Sequence, residues 1–221
     1  MNIEQARFNM IEQQIRPWDV LDQQVLSVLA TVQRENFVPP AYRHLAFSDT
    51  EIPIGEGQFM LAPKLEARLL QELGLAKTDR VLEIGAGSGF MAVLMGHLAA
   101  EVISLEIRPS LAQMAQKSLQ GAGIQNVRII KADGSQALQM PELQNQTFDA
   151  IVLSGSVAQI PAELGSLLKP GGRLVAIVGH EPMMRALRLT ATPAGLSQPE
   201  YLFDTYAPRL DGFAVPSTFT F

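Results

Sequence analysis

The residues best suited to ligand chemistry lie in one short segment, Val81-Leu-Glu-Ile-Gly85-Ala-Gly87-Ser-Gly89-Phe90. An apolar run of strand type leads into three glycines and then into an apolar run of helical type. Glycines at such a turn let a ligand approach the backbone closely at the carboxyl edge of a sheet. The spacing is G-x-G-x-G, whereas a dinucleotide pyrophosphate is held by G-x-G-x-x-G, and Glu83 precedes the turn. The pattern favours a ligand that lacks phosphates and brings an amino-acid group to a carboxylate.

Two more acidic residues follow predicted strands. Glu106 ends the second strand, where a carboxylate can accept hydrogen bonds from both ribose hydroxyls. Asp133-Gly134 follows the third, where a carboxylate could accept from an adenine amino group and glycine lets the base approach. S-adenosylmethionine combines these three groups and is the expected cofactor. The expected cofactor-binding residues are Glu83, Gly85, Ala86, Gly87, Ser88, Gly89, Glu106, Ile107, Asp133 and Gly134.

The elements that must position these residues alternate between strand and helix. Strands are predicted at 81–84, 102–107, 127–132, 148–153 and 174–178, and the helices between them at 90–99, 110–120 and 161–168. Single helices between strands indicate parallel βαβ units and an α/β, doubly wound sheet. The segment 187–221 is predicted to add antiparallel strands at one edge.

The chain before the first strand is predicted to be helical. A helix that begins near Leu21 is expected to have Asp19 as its cap, and another runs from Pro63 to the stop at Gly74. The whole is predicted to be a single domain. It would comprise a helical extension with the substrate loop over 1–75, a cofactor-binding core over 76–180 and C-terminal strands over 181–221.

Composition restricts the partners. The net charge of −5 over 221 residues argues against binding to nucleic acid, which depends on basic surface. There is no cysteine, which excludes disulfides, thiolate catalysis and cysteine-ligated zinc, and no cluster has ligand spacing, so no metal is expected. The longest apolar run, Phe90 to Ala100, is too short to cross a bilayer. A cytoplasmic protein without membrane or nucleic-acid partners is expected.

Several segments resemble known methyltransferases. The glycine motif, Asp133-Gly134, 148–154 and 168–174 resemble class I methyltransferases in general. Other segments resemble the protein-L-isoaspartate O-methyltransferase family in particular. They are Met10-Ile11 with Gln14-Ile15, 34–39, 46–49, 52–58, Ala62-Pro63 and Ile160-Pro161. The resemblance covers about residues 10–179. It implies a mostly parallel, seven-stranded, doubly wound sheet with an added helical amino-terminal piece. It also implies methylation of the free carboxylate that isomerised asparagine or aspartate exposes, on a peptide or protein substrate.

One segment departs from the pattern of that family. Phe59-Met60-Leu61 stands where the family typically has Thr-Ile-Ser, so Leu61 replaces the serine expected beside the methyl-transfer site. Glu66 stands where vertebrate-type members carry a histidine. The expected substrate-loop residues are Gln58, Phe59, Met60 and Leu61, together with Ser154, and no catalytic residue is assigned. Two alternatives stay open: a different acceptor, or a cofactor-binding regulatory protein with weak catalysis.

Few residues could act as a general base. The histidines are His44, His97 and His180, of which His180 follows the fifth predicted strand at the functional edge. A carboxylate acceptor is already an anion at pH 7 and needs no base, whereas a phenol, an amine or a hydroxyl usually does. The scarcity of bases favours a carboxylate acceptor.

Overall fold

A computed structural model describes residues 2–215. Its helices are α1 (Ile3–Met10), α2 (Gln23–Thr31), α3 (Pro63–Leu73), α4 (Phe90–Gly96) and α5 (Pro109–Ala122). Single turns of π- and 3₁₀-type continue α1 over Ile11–Ile15 and Arg16–Trp18. Further 3₁₀ turns cover Arg34–Asn36, Pro40–Leu45, Gly134–Gln139, Pro141–Leu143 and Ala162–Leu167.

The strands form one large sheet and one small hairpin. The hairpin pairs β1 (Ile52–Gly55) with β2 (Gln58–Met60). The large sheet contains β3 (Arg80–Ile84), β4 (Glu101–Glu106), β5 (Val127–Lys131), β6 (Phe148–Val157), β7 (Leu168–His180), β8 (Met183–Thr192) and β10 (Glu200–Thr205). Its order is β10-β8-β7-β6-β3-β4-β5, and the two-residue β9 (Gly195–Leu196) pairs with β8.

Strand direction follows the predicted class. The pairs β3–β4, β3–β6, β4–β5 and β6–β7 are parallel, whereas β8 pairs antiparallel with both β7 and β10. This confirms the doubly wound α/β sheet with antiparallel C-terminal edge strands. Of the predicted C-terminal segment, residues 216–221 lie outside the described residues.

Two local predictions were wrong. The segment predicted as a helix over 161–168 forms only the 3₁₀ turn Ala162–Leu167. Gly165 lies in its middle, and glycine there disfavours an α-helix. The cap of α2 is Asp22, which accepts from the backbone N–H groups of Gln24 and Val25 at 2.7 and 3.1 Å. Asp19 instead adopts a left-handed turn with φ of 57°.

The core lies on both faces of the sheet. On one face, Val81, Val102 and Val152 pack with the N-terminal helices and with α3, α4 and α5. On the other, Leu82 and Ile103 pack with the 3₁₀ turns and β8. Burial on both faces explains the continuous apolar runs of the central strands. Among residues 2–215, no helix has the length and apolar character needed to cross a membrane.

Candidate functional site

The turn after β3 depends on glycine. Gly85, Gly87 and Gly89 have φ angles of 97°, 51° and 83°, a region that favours glycine over other residues. A Cβ added at Gly89 would lie 3.0 Å from the Cα of Ala115, so this glycine also lets α4 approach α5. The N–H groups of Gly85 and Ala86 donate to the carbonyl of Leu105 at 2.9 and 3.1 Å. The turn is therefore fixed against the end of β4.

Glu83 is a fully buried carboxylate held by two hydroxyls. Its side chain is 0% exposed, and it accepts hydrogen bonds from Ser104 Oγ at 2.5 Å and from Ser154 Oγ at 2.7 Å. Burial raises the pKa of Glu83 to about 7, and the two serine hydrogen bonds oppose that rise. Because the hydroxyls only partly compensate the lost hydration, an approaching cation would stabilise the ionised carboxylate.

Glu106 lies at the end of the neighbouring strand β4. Its Oε2 accepts from the N–H of Gly87 at 2.8 Å, and its Oε1 accepts from the N–H of Arg108 at 3.0 Å. A carboxylate has about four acceptor positions, so two remain for hydroxyl donors. This arrangement joins the glycine turn to the end of β4 and leaves capacity for a ribose.

One pocket brings most of the predicted site residues together. Those that line it are Glu83, Gly85, Ala86, Gly87, Ser88, Glu106, Ile107 and Gly134 from the cofactor set, and Gln58, Phe59, Met60, Leu61 and Ser154 from the substrate set. Gly89 and Asp133 do not line it. Asp133 accepts instead from the N–H of Ser135 at 2.9 Å and is approached by Gly212, where an added Cβ would lie 2.4 Å from Asp133 Oδ1. Its contact with an adenine stays a prediction.

The substrate loop forms an apolar wall of the pocket. Met60 and Leu61 are buried where β2 leads towards α3. Phe59, which precedes them, is exposed. The carbonyl of Leu61 accepts from Arg34 Nη2 at 2.7 Å. Leu61 stands where the protein-L-isoaspartate O-methyltransferase family is expected to have a serine hydroxyl, and it offers only a hydrocarbon side chain.

Sequence reasoning missed a buried ion pair behind this wall. Arg34, 1% exposed, pairs through Nη1 with Glu66 Oε2, donates from Nε to the carbonyl of Ala46 at 3.0 Å and lies 4.8 Å from the ring centroid of Phe90. Glu66, 4% exposed, also lines the pocket. Burial raises the pKa of Glu66 to about 6, against the opposing charge and hydrogen bond of Arg34. The helical spacing of Glu66 with Leu70 and Leu73 was a signal that its side chain faces inwards.

A second missed feature is the C-terminal segment at the pocket mouth. The guanidinium of Arg108 lies 3.2 Å from Glu56 Oε2 in the hairpin and 2.7 Å from Asp211 Oδ2. Ser156 in β6 holds this segment, since its N–H donates to Pro208 at 2.8 Å and its carbonyl accepts from Leu210 at 2.9 Å. The segment therefore forms one wall of the pocket, although the resemblance had thinned before this part of the chain.

The remaining candidates lie outside the pocket. None of His44, His97 and His180 lines it. Within residues 2–215, no three side chains of the histidine, cysteine, aspartate or glutamate type are grouped as metal ligands would be. The pocket thus offers carboxylates, the hydroxyl of Ser154 that already donates to Glu83, the hydroxyl of Ser88, and an apolar wall, but no imidazole.

Comparison with known proteins gives a consistent result. The profile of the family described as Protein-L-isoaspartate(D-aspartate) O-methyltransferase (PCMT) matches residues 5–196. A protein-L-isoaspartate O-methyltransferase from Gloeobacter violaceus is 38% identical over 188 residues, which are 85% of this chain and 90% of the relative. One from Roseiflexus castenholzii is 38% identical over 214 residues, covering 97% and 96% of the two chains.

A solved structure shares the fold over nearly the whole chain. It is a Plasmodium falciparum protein described as a protein-L-isoaspartate O-methyltransferase, in complex with S-adenosyl-L-homocysteine. The TM-score is 0.79 at 23% identity, and the likeness covers 96% of this chain and 99% of that one.

Proposed function

Since the chain belongs to the protein-L-isoaspartate (D-aspartate) O-methyltransferase family, we propose that it transfers a methyl group from S-adenosylmethionine to the carboxylate of an isoaspartyl residue. The acceptor would be a peptide or protein that carries this damage. Family membership supports the reaction, and the pocket at the carboxyl ends of β3, β4 and β5 supports its location.

The residues of the pocket fit the cofactor. Glu83 would accept a hydrogen bond from the ammonium group of the cofactor, and Glu106 would accept from its ribose hydroxyls. The glycines of the turn from Gly85 to Gly89 would let the cofactor lie close to the backbone. When bound, S-adenosylmethionine supplies a methyl group on a cationic sulfur, and the bonding electron pair stays on sulfur as a carboxylate oxygen forms the new bond.

The chain itself has a modest chemical task. A carboxylate needs no general base, which agrees with the absence of histidine from the pocket lining described above. Met60 and Leu61 exclude water from one wall, while the Arg108 ion pairs hold the hairpin and the C-terminal segment at the mouth. Alignment of the acceptor in a dry pocket is the main contribution that such a site makes.

The observation that carries this proposal is the arrangement around Glu83. A buried carboxylate bonded to two hydroxyls lies at the end of a strand, directly before three glycines of positive φ. Glu106 then lies within hydrogen-bonding distance of the same turn. This combination suits a cationic amino acid attached to a nucleoside.

The test is transfer of labelled methyl groups to a defined isoaspartyl peptide, beside the same peptide with a normal aspartyl residue. We expect ester formation on the first peptide alone, with loss of the label after base treatment. Cofactor binding without any transfer would favour the regulatory alternative, and transfer to other acceptors in an extract would favour a different substrate. Either result would refute the proposed acceptor.

We also propose that the protein acts in the cytoplasm. The sequence contains no cysteine, so its folding does not depend on an oxidising compartment. Fractionation of cells with a tagged chain would check the location.

A further inference from the structure

The pocket presents few groups that could attract an anionic acceptor. Its charged lining residues are Glu66, Glu83, Glu106, Arg108 and Asp211. Within residues 2–215, Arg108 is the only cation in that lining, and both Glu56 and Asp211 engage it. A carboxylate that enters therefore meets other carboxylates, which raises the energetic cost of its burial.

Neutral hydrogen-bond donors are also scarce at the substrate-loop wall. Leu61 has no hydroxyl, and Ser154 donates its hydroxyl to Glu83 at 2.7 Å. The amide of Gln58 lines the pocket from the half-buried hairpin. The other hydroxyl in the lining, that of Ser88, belongs to the glycine turn, where its Oγ accepts from the N–H of Phe90 at 3.3 Å.

Glu66 lies at the substrate-loop wall. Its Oε2 pairs with Arg34, whereas no donor from the described part of the chain reaches its Oε1. The residue is 4% exposed and lines the pocket, so Oε1 is a polar atom without a protein donor in a largely buried side chain at the pocket surface. Arg34 also binds the carbonyl of Leu61 at 2.7 Å, which fixes Glu66 and Leu61 relative to each other.

We propose that Glu66, in its protonated form, binds the acceptor carboxylate through a shared proton and supplies the hydrogen bond that Leu61 cannot. The inference rests on the proposed function and names how that site recognises its substrate. Two carboxylates in hydrogen-bond contact cannot both stay ionised, and they retain one proton between them. Arg34 occupies Oε2, so the proton would lie on Oε1, towards the acceptor.

The proton is needed for binding and is not consumed. Above the pKa of Glu66, the free protein takes one proton from solvent when the acceptor carboxylate binds. Formation of the methyl ester changes no proton on Glu66, and the proton returns to solvent when the neutral ester leaves.

The charged surroundings of Glu66 allow this behaviour. Arg34 faces it directly, and the charges of Glu66 and Glu106 both raise the pKa of the nearby Glu83. Charged groups on α3 and on the elements that pack against it are paired elsewhere: Lys64 with Asp49, Arg68 with Glu72, Glu12 with Arg16, Lys169 with Asp149, and Arg173 with Asp79. His180, at the end of β7, is exposed.

The expected pH dependence follows from the raised pKa of Glu66, about 6 in the free protein. The protonated form is lost as pH rises above that value. Affinity for the isoaspartyl peptide should therefore fall by about tenfold or more between pH 6 and pH 8. Glu66→Gln keeps an acceptor for Arg34 and places a permanent N–H donor in the pocket, so its affinity should be flat over this range.

The test is calorimetry of an isoaspartyl peptide binding to protein saturated with S-adenosylhomocysteine. Two buffers of different ionisation enthalpy at pH 7.5 should reveal uptake of roughly one proton per peptide. Glu66→Gln should take up none, and the exposed control Glu142→Gln should match the unchanged chain. Glu66→Leu would leave Arg34 unpaired and can fail to fold. Glu66→Gln is therefore the variant that tests whether Glu66 takes up the proton.

Three outcomes would overturn the inference. Peptide binding or methylation by the unchanged chain without proton uptake would refute it alone and leave the proposed function intact. A tenfold weaker affinity of Glu66→Gln for S-adenosylhomocysteine, with peptide binding unchanged, would assign Glu66 to the cofactor. No peptide binding or methylation at any pH from 5.5 to 8 would refute the proposed function and this inference together.

Discussion

Replacement of Glu83 by glutamine should abolish a loss of stability that the cofactor-free protein undergoes as pH rises, and it should weaken cofactor binding. Burial raises the pKa of this carboxyl from its ordinary value of 4.5 to about 7. Between these values the folded protein holds a proton that the unfolded chain has lost. Stability therefore falls as pH rises from about 4.5 to about 7 and is flat above. Glutamine does not titrate, so the variant escapes this loss.

The magnitude follows from the two pKa values. With 4.5 for the unfolded chain and about 7 for the folded one, the stability lost between pH 5 and pH 8 is about 2–3 kcal/mol. Any pH-independent effect of the substitution, such as altered hydrogen bonds to Ser104 and Ser154, cancels when the difference between variant and unchanged chain is compared at the two pH values.

The assay is denaturant unfolding of both proteins at pH 5 and pH 8 without cofactor. We expect Glu83→Gln to gain about 2–3 kcal/mol on the unchanged chain as pH rises, whereas the exposed control Glu142→Gln gains nothing. Calorimetry should show at least a tenfold loss of affinity for S-adenosylmethionine in the variant, because the ammonium loses an ionic partner. If the difference in stability between variant and unchanged chain is the same at the two pH values, the pKa of Glu83 is not raised in the folded protein and the reasoning is refuted.

Three other outcomes are expected. Glu106→Ala should weaken S-adenosylmethionine binding by about 1–3 kcal/mol through lost charge-assisted hydrogen bonds; an unchanged dissociation constant in calorimetry would exclude a ribose contact. Leu61→Ser should raise turnover on an isoaspartyl peptide at neutral pH by roughly a hundredfold if one positioned hydroxyl is restored, and unaltered turnover would indicate a pocket rebuilt for another acceptor. Methyl transfer should be insensitive to a chelator, since residues 2–215 group no metal ligands; loss of activity with rescue by a divalent ion would contradict this.

The order of the central elements could be predicted because each carries its own local signal. Apolar runs such as 81–84 end in glycine or in an acidic residue, and the structure places β3, β4 and β5 within one or two residues of the predicted bounds. The ends of β6 and β7 could not be predicted. They extend to Val157 and His180 because their partners reach that far: β8 pairs along β7 down to the pair of His180 with Met183.

The cofactor side of the site was predictable for the same local reason, but its internal contacts were not. Glu83 and Glu106 are conspicuous as acids at strand ends. The serines that hold Glu83 come from other strands: Ser104 lies opposite Glu83 in the register of β3 and β4, and Ser154 comes from β6. A single sequence contains no record of that register, so neither the hydrogen bonds nor the raised pKa of Glu83 could be derived from it.

The acceptor side shows why a position-by-position comparison with a family is incomplete. At residue 61 that comparison finds a lost hydroxyl and leaves open a different acceptor or weak catalysis. Hydrogen-bonding groups are defined by where they lie in space, however, and Glu66 reaches the same wall from the first turn of α3, held by the same Arg34 that fixes Leu61. Leucine replaces the family's serine at residue 61, and a buried carboxylate lies five residues later. Together these two features change the kind of hydrogen-bond donor that the acceptor meets. A neutral donor that works at every pH is replaced by a titrating donor that works when protonated.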